Sequence, residues 1–262
     1  MGIKFDYPGK PYKKLTMLQL RFRDDLVNEI GVDEAGRGSF FGPLMAGAVL
    51  WPSRSTWTPE IEKLSHEIRD SKKIAPKKRE RIADDIKRLS VASAVGHVMP
   101  EELDVNGVTW ANQEAFRRAL AGLGTSFKSS KDRVLIDGEL SIHGYEGEQH
   151  TIVDGDALNL SIAAASILAK VEHDRWIMAW CDSNSEVADR YALRTSKGYG
   201  TAAHRAGLIA HGATALHRRT FIRKYVSANQ ALPKPNVIVQ GYTKHTNTTS
   251  TSVDLDKCMI RL

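Results

Sequence analysis

The sequence contains very little cysteine, with only Cys181 and Cys258 among 262 residues. Two cysteines so far apart supply neither a disulfide framework nor the paired ligands of a zinc module, so both classes are excluded. Long apolar runs are also lacking. No stretch approaches the ~20 residues of a membrane-spanning helix, and the N-terminal residues contain no apolar signal core. We therefore expect a soluble protein of a reducing compartment, and we place it in the cytoplasm.

The charge of the chain is moderately positive. Its 37 Lys and Arg residues against 31 Asp and Glu residues give a net charge of +6. This balance is compatible with a polyanionic partner, although a diffuse excess of this size serves solubility equally well. At roughly 100–200 residues per domain, the length fits one large or two small domains. Because the chain has no internal repeat and no coiled-coil seam, we expect one main domain and a monomer.

Apolar runs that stop at glycine, proline or aspartate alternate with segments of helical spacing. The runs predict strands at residues 30–32, 44–51, 91–98, 134–136 and 152–153. The segments between them predict helices within 59–89, at 112–123 and at about 158–180. This alternation favours an α/β protein with helices packed against a sheet.

The composition divides the chain into three parts. Residues 1–28 form a mixed lead-in, and residues 29–226 carry the strand and helix signals. Residues 227–262 form a polar tail rich in proline, threonine and serine, which we expect to be flexible because it has little to pack.

Acidic side chains follow the predicted strands where each strand ends. They are Asp33, Glu34, Asp137 and, just before the longest helix, Asp156. Carboxyl ends of strands in an open α/β sheet form a ligand crevice. Clustered carboxylates without histidine or cysteine favour Mg²⁺ or Mn²⁺, and two such ions ~3.5–4 Å apart suit attack of water on a phosphodiester. Alternatively, each acid is a solvated strand-end or turn residue, since Asp-Gly is an ordinary turn pair.

A glycine-rich turn follows the first acid pair. Gly36, Arg37 and Gly38 form a loop whose backbone can approach a ligand closely and which carries one cation. The alternative is a purely structural turn. A second basic run, 77–81, is expected to be a solvated helix face.

Six motifs resemble those of type 2 ribonuclease H, the ribonuclease HII family. They are GVDEAGRGSFFGPLMAGAVL (31–50), DSKK (70–73), VLIDG (134–138), SIAAASILAKVEHDR (161–175), SKGYGTAAH (196–204) and LHRRTF (216–221). The motifs occur in the family's order and span about residues 29–223.

The resemblance implies a ribonuclease H-like mixed sheet flanked by helices, with a C-terminal helical extension at about 182–226. It implies an endonuclease that hydrolyses RNA paired to DNA and cuts 5′ of ribonucleotides embedded in duplex DNA. Two Mg²⁺ or Mn²⁺ ions would serve catalysis and leave 5′-phosphate and 3′-hydroxyl ends. The catalytic and metal-binding acids would be Asp33, Glu34, Asp137 and Asp156. For the last acid the Gly-Asp order favours Asp156 over the neighbouring Asp154.

The resemblance also assigns substrate contacts. The backbone of Gly36, Arg37 and Gly38 would read the 2′-hydroxyl, which separates RNA from DNA. Tyr199 would pack against the following deoxyribose; the alternative is a packed loop aromatic. Basic residues would contact phosphates and set salt dependence; these are Lys72, Lys73 and Lys170, together with the run His217, Arg218 and Arg219.

Asp174 also matches a motif position. On an unbroken helix it would lie ~27 Å from Asp156, so we expect a supporting role for it, in a salt bridge with Lys170 or Arg175. Two departures from the family stand out. His173 stands where arginine is more common, and Ser39-Phe40-Phe41 replaces Pro-Leu-Ala.

Two other functions remain open at this point. One is a two-metal nuclease for DNA junctions, which the pairing of the two glycine-rich motifs disfavours. The other is a non-catalytic module that binds RNA–DNA hybrids, which the presence of all four acids disfavours.

Overall fold

The computed structural model describes residues 18–226. The first 17 residues of the predicted lead-in and the whole predicted tail lie outside the described residues. The strands are β1 (Glu29–Ala35), β2 (Leu44–Leu50), β3 (Ala92–Val98), β4 (Arg133–Asp137) and β5 (Glu148–Ile152). The α-helices are α1 (Pro59–Glu67), α2 (Pro76–Leu89), α3 (Pro100–Asn106), α4 (Val108–Gly122), α5 (Gly155–Leu158), α6 (Leu160–Ser183), α7 (Ser185–Arg190), α8 (Leu193–Ser196), α9 (Ala202–His211) and α10 (Arg219–Ile222).

The five strands form one mixed sheet in the order β3-β2-β1-β4-β5. The first three strands in the chain pair antiparallel, whereas β4 and β5 run parallel to β1. Val32 of β1 lies opposite Ile136 of β4, so the residues that follow them, Asp33 and Asp137, reach the same edge of the sheet. The mixed sheet confirms the predicted fold class, and its parallel half brings the acids together.

Helices cover both faces of the sheet. On one face Ile30 and Val32 pack with Ala115 and Phe116 of α4 in a buried cluster. On the other face lies α6, which packs against both the sheet and α2 and is therefore apolar on most sides. A Cβ on Gly31 would overlap the backbone of α6, so glycine there lets the helix lie close to β1.

The helical conformation is interrupted at Asn159, between α5 and α6, whereas the sequence predicted one helix from about residue 158. Asn159 has extended backbone angles, and its side chain accepts hydrogen bonds from the amides of Ser161 and Ile162. This N-cap starts α6 afresh and leaves Asp156 in the separate short helix α5. The straight-helix separation of Asp156 and Asp174 therefore does not apply.

The C-terminal helices build a third buried cluster. It joins Phe41, from the loop after β1, to Ile177 of α6 and to Leu193 and Leu208 of the C-terminal segment. The segment is thereby packed against the loop that follows the first acid pair. Among residues 18–226, no helix is long and apolar enough to cross a membrane.

Candidate active site

The predicted acids meet at one edge of the sheet. Asp33 and Glu34 lie at the end of β1, Asp137 ends β4, and Asp156 lies in α5, where its amide is 3.3 Å from Asp137 Oδ1. The pKa of all four carboxyl groups is raised, first by burial and then by the charge of one or more acidic neighbours. The structure therefore brings together the four acids that the sequence analysis selected.

Asp33 is the most buried of the four. Burial raises its pKa well above the usual value, and the charges of Glu34 and Asp137 raise it further. Ser166 of α6 hydrogen-bonds to this carboxylate and opposes the rise. The Ser166 hydroxyl lies 3.2 Å from that of Ser71, which connects α6 to the DSKK turn.

Glu34 is held from the α4 side of the sheet. Burial raises its pKa, while the Arg37 guanidinium, 3.7 Å away, and a hydrogen bond to Asn112 of α4 lower it. Asn112 is buried, and its Oδ1 has no hydrogen-bond partner among the described residues. The sequence analysis missed Asn112; the available signal was a single amide on the otherwise apolar buried face of the amphipathic helix α4.

The other two carboxyl groups are half-buried. Burial raises the pKa of Asp137, whereas hydrogen bonds from the amides of Asp156 and Gly155 lower it. Burial and the charges of Asp137 and Asp70 raise the pKa of Asp156. Asp154 is exposed and left-handed (φ 55°), so Asp156 is the more enclosed member of the pair.

The donor set is made of carboxylate oxygens, the ligands that Mg²⁺ and Mn²⁺ prefer. In residues 18–226, however, no three acidic, histidine or cysteine side chains are grouped closely enough to hold one metal ion. The four carboxylates fit a divalent ion in chemistry and in charge, because the charge of Asp137 raises the pKa of the other three and that of Glu34 raises the pKa of Asp33. Their side chains would have to converge further to form a complete ligand shell.

Two lysines of the DSKK turn lie beside the acids. The positive charge of Lys72 lowers the pKa of both Asp137 and Asp156. Lys73 is exposed, pairs with Asp70 at 2.9 Å and also interacts with the charge of Asp156. Both lysines therefore lie close enough to the acids for their charges to interact.

The glycine-rich loop and the KGYG motif touch each other. The amide of Gly36 donates to the Tyr199 hydroxyl at 3.2 Å, and the amide of Phe40 donates to the Gly198 carbonyl at 2.8 Å. Lys170 lies with its Nζ 5.2 Å from the centre of the Tyr199 ring. The predicted substrate-binding residues of both motifs thus form one surface beside the acids.

The residues expected to support the site are paired within α6 and to α2. Asp174 forms the salt bridge with Lys170 at 2.8 Å, whereas Arg175 pairs with Asp84 and Glu172 instead. His173 is fully buried, with Nδ1 3.2 Å from Asp174 Oδ1 and Nε2 3.4 Å from the Ser39 hydroxyl. It fills the space beneath Gly36, so it contacts the loop and not solvent.

The prediction that His217 and Arg218 contact phosphates is wrong. Their exposed fractions are 1% and 0%, and their polar groups bind within the protein. Arg218 hydrogen-bonds to backbone carbonyls of the glycine-rich loop, and burial lowers its pKa to about 10. The amide of the half-exposed Arg219 donates to Asp104 at 2.8 Å. In the sequence, a basic run predicts solvent-exposed side chains, but in the structure two of the three side chains are buried.

Comparisons with known proteins agree with this arrangement. A family model described as Ribonuclease HII matches residues 30–224. The Ribonuclease HII of Fusobacterium nucleatum is 42% identical over 210 residues, covering 79% of this chain and 91% of that protein. The Ribonuclease HII of Prochlorococcus marinus strain NATL2A is 40% identical over 194 residues, covering 74% and 93%. The ribonuclease H2 structure from Pyrococcus horikoshii matches with a TM-score of 0.60 at 25% identity, covering 76% of this chain and 97% of that one.

These matches define an enzyme that hydrolyses nucleic acid, a nuclease of the ribonuclease H type. The chain belongs to the ribonuclease HII family. Members of this family hydrolyse the RNA strand of RNA–DNA hybrids, and we assign that activity to this chain.

Proposed function

We propose that this protein cuts 5′ of ribonucleotides embedded in duplex DNA, as well as cutting RNA–DNA hybrids, and so serves ribonucleotide excision in DNA replication and repair. Cleavage leaves 5′-phosphate and 3′-hydroxyl ends. The observation that supports the proposal is the adjacency of the four acids to the loop that pairs with Tyr199. One surface thus combines a centre for phosphodiester hydrolysis with groups suited to reading a ribose.

We assign the four acids to holding two divalent ions. Asp33, Glu34, Asp137 and Asp156 would supply oxygen ligands, and a bound Mg²⁺ or Mn²⁺ would offset the repulsion that adds to burial in raising the pKa values of Asp33 and Asp156. When bound, the two ions supply the Lewis acidity for in-line attack of water on the phosphodiester. Ser166 orients Asp33 and Asn112 orients Glu34 through the hydrogen bonds already described.

We assign substrate choice to the loop and its aromatic partner. The backbone of Gly36, Arg37 and Gly38 reads the 2′-hydroxyl, since a backbone that approaches closely can hydrogen-bond to that group. Tyr199 packs against the next sugar and favours a deoxyribose there. Lys170 lies over the ring of this tyrosine and is placed to bind the adjoining phosphate.

We assign Lys72 and Lys73 to phosphates beside Asp156, with whose charge both lysines interact. Contacts of this kind fix the register of the duplex and make binding weaker as salt rises, without sequence preference. On sequence grounds we further propose that the protein is a cytoplasmic monomer. Sedimentation of the full chain tests the monomeric state.

Replacing Asp137 tests the proposed centre. Asp137→Asn removes a charge that acts on three neighbouring carboxyl groups. We expect cleavage of a labelled RNA–DNA hybrid to fall by more than about 100-fold, because even outer-shell partners of metal ligands cost 10–100-fold. The assay compares Mg²⁺, Mn²⁺ and a chelator.

Asp189→Asn is the matched control, since Asp189 is exposed on α7. It should cleave like the wild type. Full activity of Asp137→Asn would contradict the assignment of this acid. Binding of the hybrid without cleavage by the wild type in any metal would favour the non-catalytic module, and cleavage of DNA junctions alone would favour the junction nuclease.

A further inference from the structure

Arg218 is a buried cation whose side chain is hydrogen-bonded to backbone carbonyl groups. Its side chain is fully enclosed, and among residues 18–226 no carboxylate forms a salt bridge with it. A buried charge is costly unless it is hydrogen-bonded. In this protein, the hydrogen bonds of the guanidinium are accepted by backbone carbonyl groups. The residues that carry these carbonyl groups therefore show which segment of the chain the guanidinium holds.

The carbonyls belong to the two ends of the glycine-rich loop. Nη1 donates to the carbonyls of Gly36 at 2.6 Å and Arg37 at 3.0 Å, while Nε and Nη2 donate to the carbonyl of Gly42 at 3.0 and 2.9 Å. The Arg218 amide donates to the carbonyl of Phe40 at 2.7 Å. One residue thus binds four of the carbonyls within residues 36–42.

The loop requires this support because of its backbone. Gly36 and Gly42 both have positive φ angles, 76° and 82°. Glycine adopts positive and negative φ angles about equally readily, so these two residues do not by themselves fix the conformation of the loop. Within the loop the amide of Ser39 donates to the Gly36 carbonyl at 3.1 Å. The Gly36 amide points to Tyr199 while its carbonyl points to Arg218, and the guanidinium therefore sets the orientation of the adjoining peptide groups.

We infer that Arg218 is a positioning residue that fixes the Gly36–Gly42 loop in the conformation that distinguishes ribose from deoxyribose. The role in discrimination rests on the proposed function of the loop, whereas the clamp itself does not. The planar fork of a guanidinium spans carbonyls at both ends of the loop, and the single nitrogen of a lysine cannot reach both. A conservative Arg218→Lys change should therefore keep the charge and lose the clamp.

Hydrogen exchange tests the clamp without reference to function. In Arg218→Lys, the amides of residues 36–42 should exchange at least about tenfold faster than in the wild type, because bonds to a charged donor are lost. Exchange in α6 should stay the same. The control is Arg223→Lys, at an exposed arginine just after α10. Unchanged exchange in the loop of a folded Arg218→Lys protein would overturn the inference.

NMR of the wild type provides a test that does not depend on the variant folding. The Nη protons of Arg218 should exchange slowly with solvent, as expected for an enclosed and hydrogen-bonded guanidinium. Exchange as fast as that of the exposed Arg223 would overturn the clamp.

Binding in chelator, where no cleavage occurs, tests the role in discrimination. The readout is the affinity for a duplex with one ribonucleotide divided by the affinity for the same all-DNA duplex. We expect this ratio to fall towards one in Arg218→Lys and to stay at the wild-type value in Arg223→Lys. A general loss of structure would lower both affinities together and leave the ratio unchanged.

A faster-exchanging loop with a wild-type ratio would overturn the role in discrimination. If the wild type itself binds both duplexes equally, the proposed ribose reading fails instead, and the exchange measurement still decides the clamp.

Discussion

Tyr199 connects two motifs that lie far apart in the chain. Its hydroxyl accepts the hydrogen bond of the Gly36 amide, 163 residues away, and its ring lies beside Lys170. The ring supplies a surface for a sugar, whereas the hydroxyl fixes the loop. The two contributions separate in a variant that removes only the oxygen.

Tyr199→Phe should therefore weaken cleavage without abolishing it. The Gly36 amide loses its partner, and we expect kcat/KM on a single-ribonucleotide duplex to fall by about 3- to 10-fold, equivalent to roughly 1 kcal/mol. Steady-state kinetics measure this effect. The control is Tyr145→Phe, because the Tyr145 hydroxyl has no partner among the described residues. Equal kinetics for wild type and Tyr199→Phe would show that the hydroxyl does not position the loop.

At this scale the sequence predicted residues whose role shows in local pattern. Asp33 and Asp137 stand at the ends of apolar runs, and Tyr199 lies in a recognisable motif. It did not predict Asn112 or the burial of Arg218, because their partners lie on other elements. Which side of a loop faces solvent follows from tertiary packing and is not visible in a basic run.

The break before α6 matters at the scale of elements. Asn159 caps α6 with its side chain and ends α5, and so it sets the direction in which α5 presents Asp156 next to Asp137. The sequence predicted the long helix itself but placed its start near residue 158, because the alanine-rich run contains no glycine or proline that would mark a helix boundary. It also placed the last strand at 152–153, at the very end of β5 (Glu148–Ile152), because the residues of β5 are mostly polar.

Asn159→Ala should destabilise the protein by about 1–2 kcal/mol, the usual cost of an N-cap side chain. Two amides of the first turn of α6 lose their acceptor in this variant. Urea unfolding followed by circular dichroism measures the change. Asn106→Ala, at an exposed position at the end of α3, should remain within about 0.5 kcal/mol of the wild type. A wild-type unfolding midpoint for Asn159→Ala would contradict the capping role.

Buried histidines make the whole molecule sensitive to acid. His204 and His217 lie with their Nε2 atoms 3.0 Å apart. The Thr214 amide donates to His217 Nδ1, so His217 donates through Nε2 to His204, and His204 donates through Nδ1 to the Tyr199 carbonyl. Both rings must be neutral for this chain of hydrogen bonds. Burial is the main reason that the pKa of both histidines is lowered, and it brings the pKa of His217 to about 3.

The sign of the pH dependence follows from proton uptake. Between pH 6.5 and about 3 the unfolded His217 is protonated and the folded one is not, so stability falls as pH falls. From pH 7.5 to pH 5 we expect this histidine to cost roughly 2 kcal/mol of unfolding free energy. The loss is measured by urea unfolding at both pH values.

His217→Gln should show a smaller loss over the same interval, and His66→Gln, at an exposed position, should match the wild type. An equal loss in wild type and His217→Gln would contradict the assignment to this histidine.

The central claim joins cleavage to ribose reading on one surface, and one cleavage assay tests it most directly. A labelled duplex containing a single ribonucleotide is incubated with the wild-type protein and Mg²⁺, beside the same sequence in all DNA. The account predicts one cut, 5′ of the ribonucleotide, with 3′-hydroxyl and 5′-phosphate ends, and none in the all-DNA duplex or in chelator. An intact ribonucleotide-containing duplex, under conditions where an RNA–DNA hybrid is cut, would contradict it.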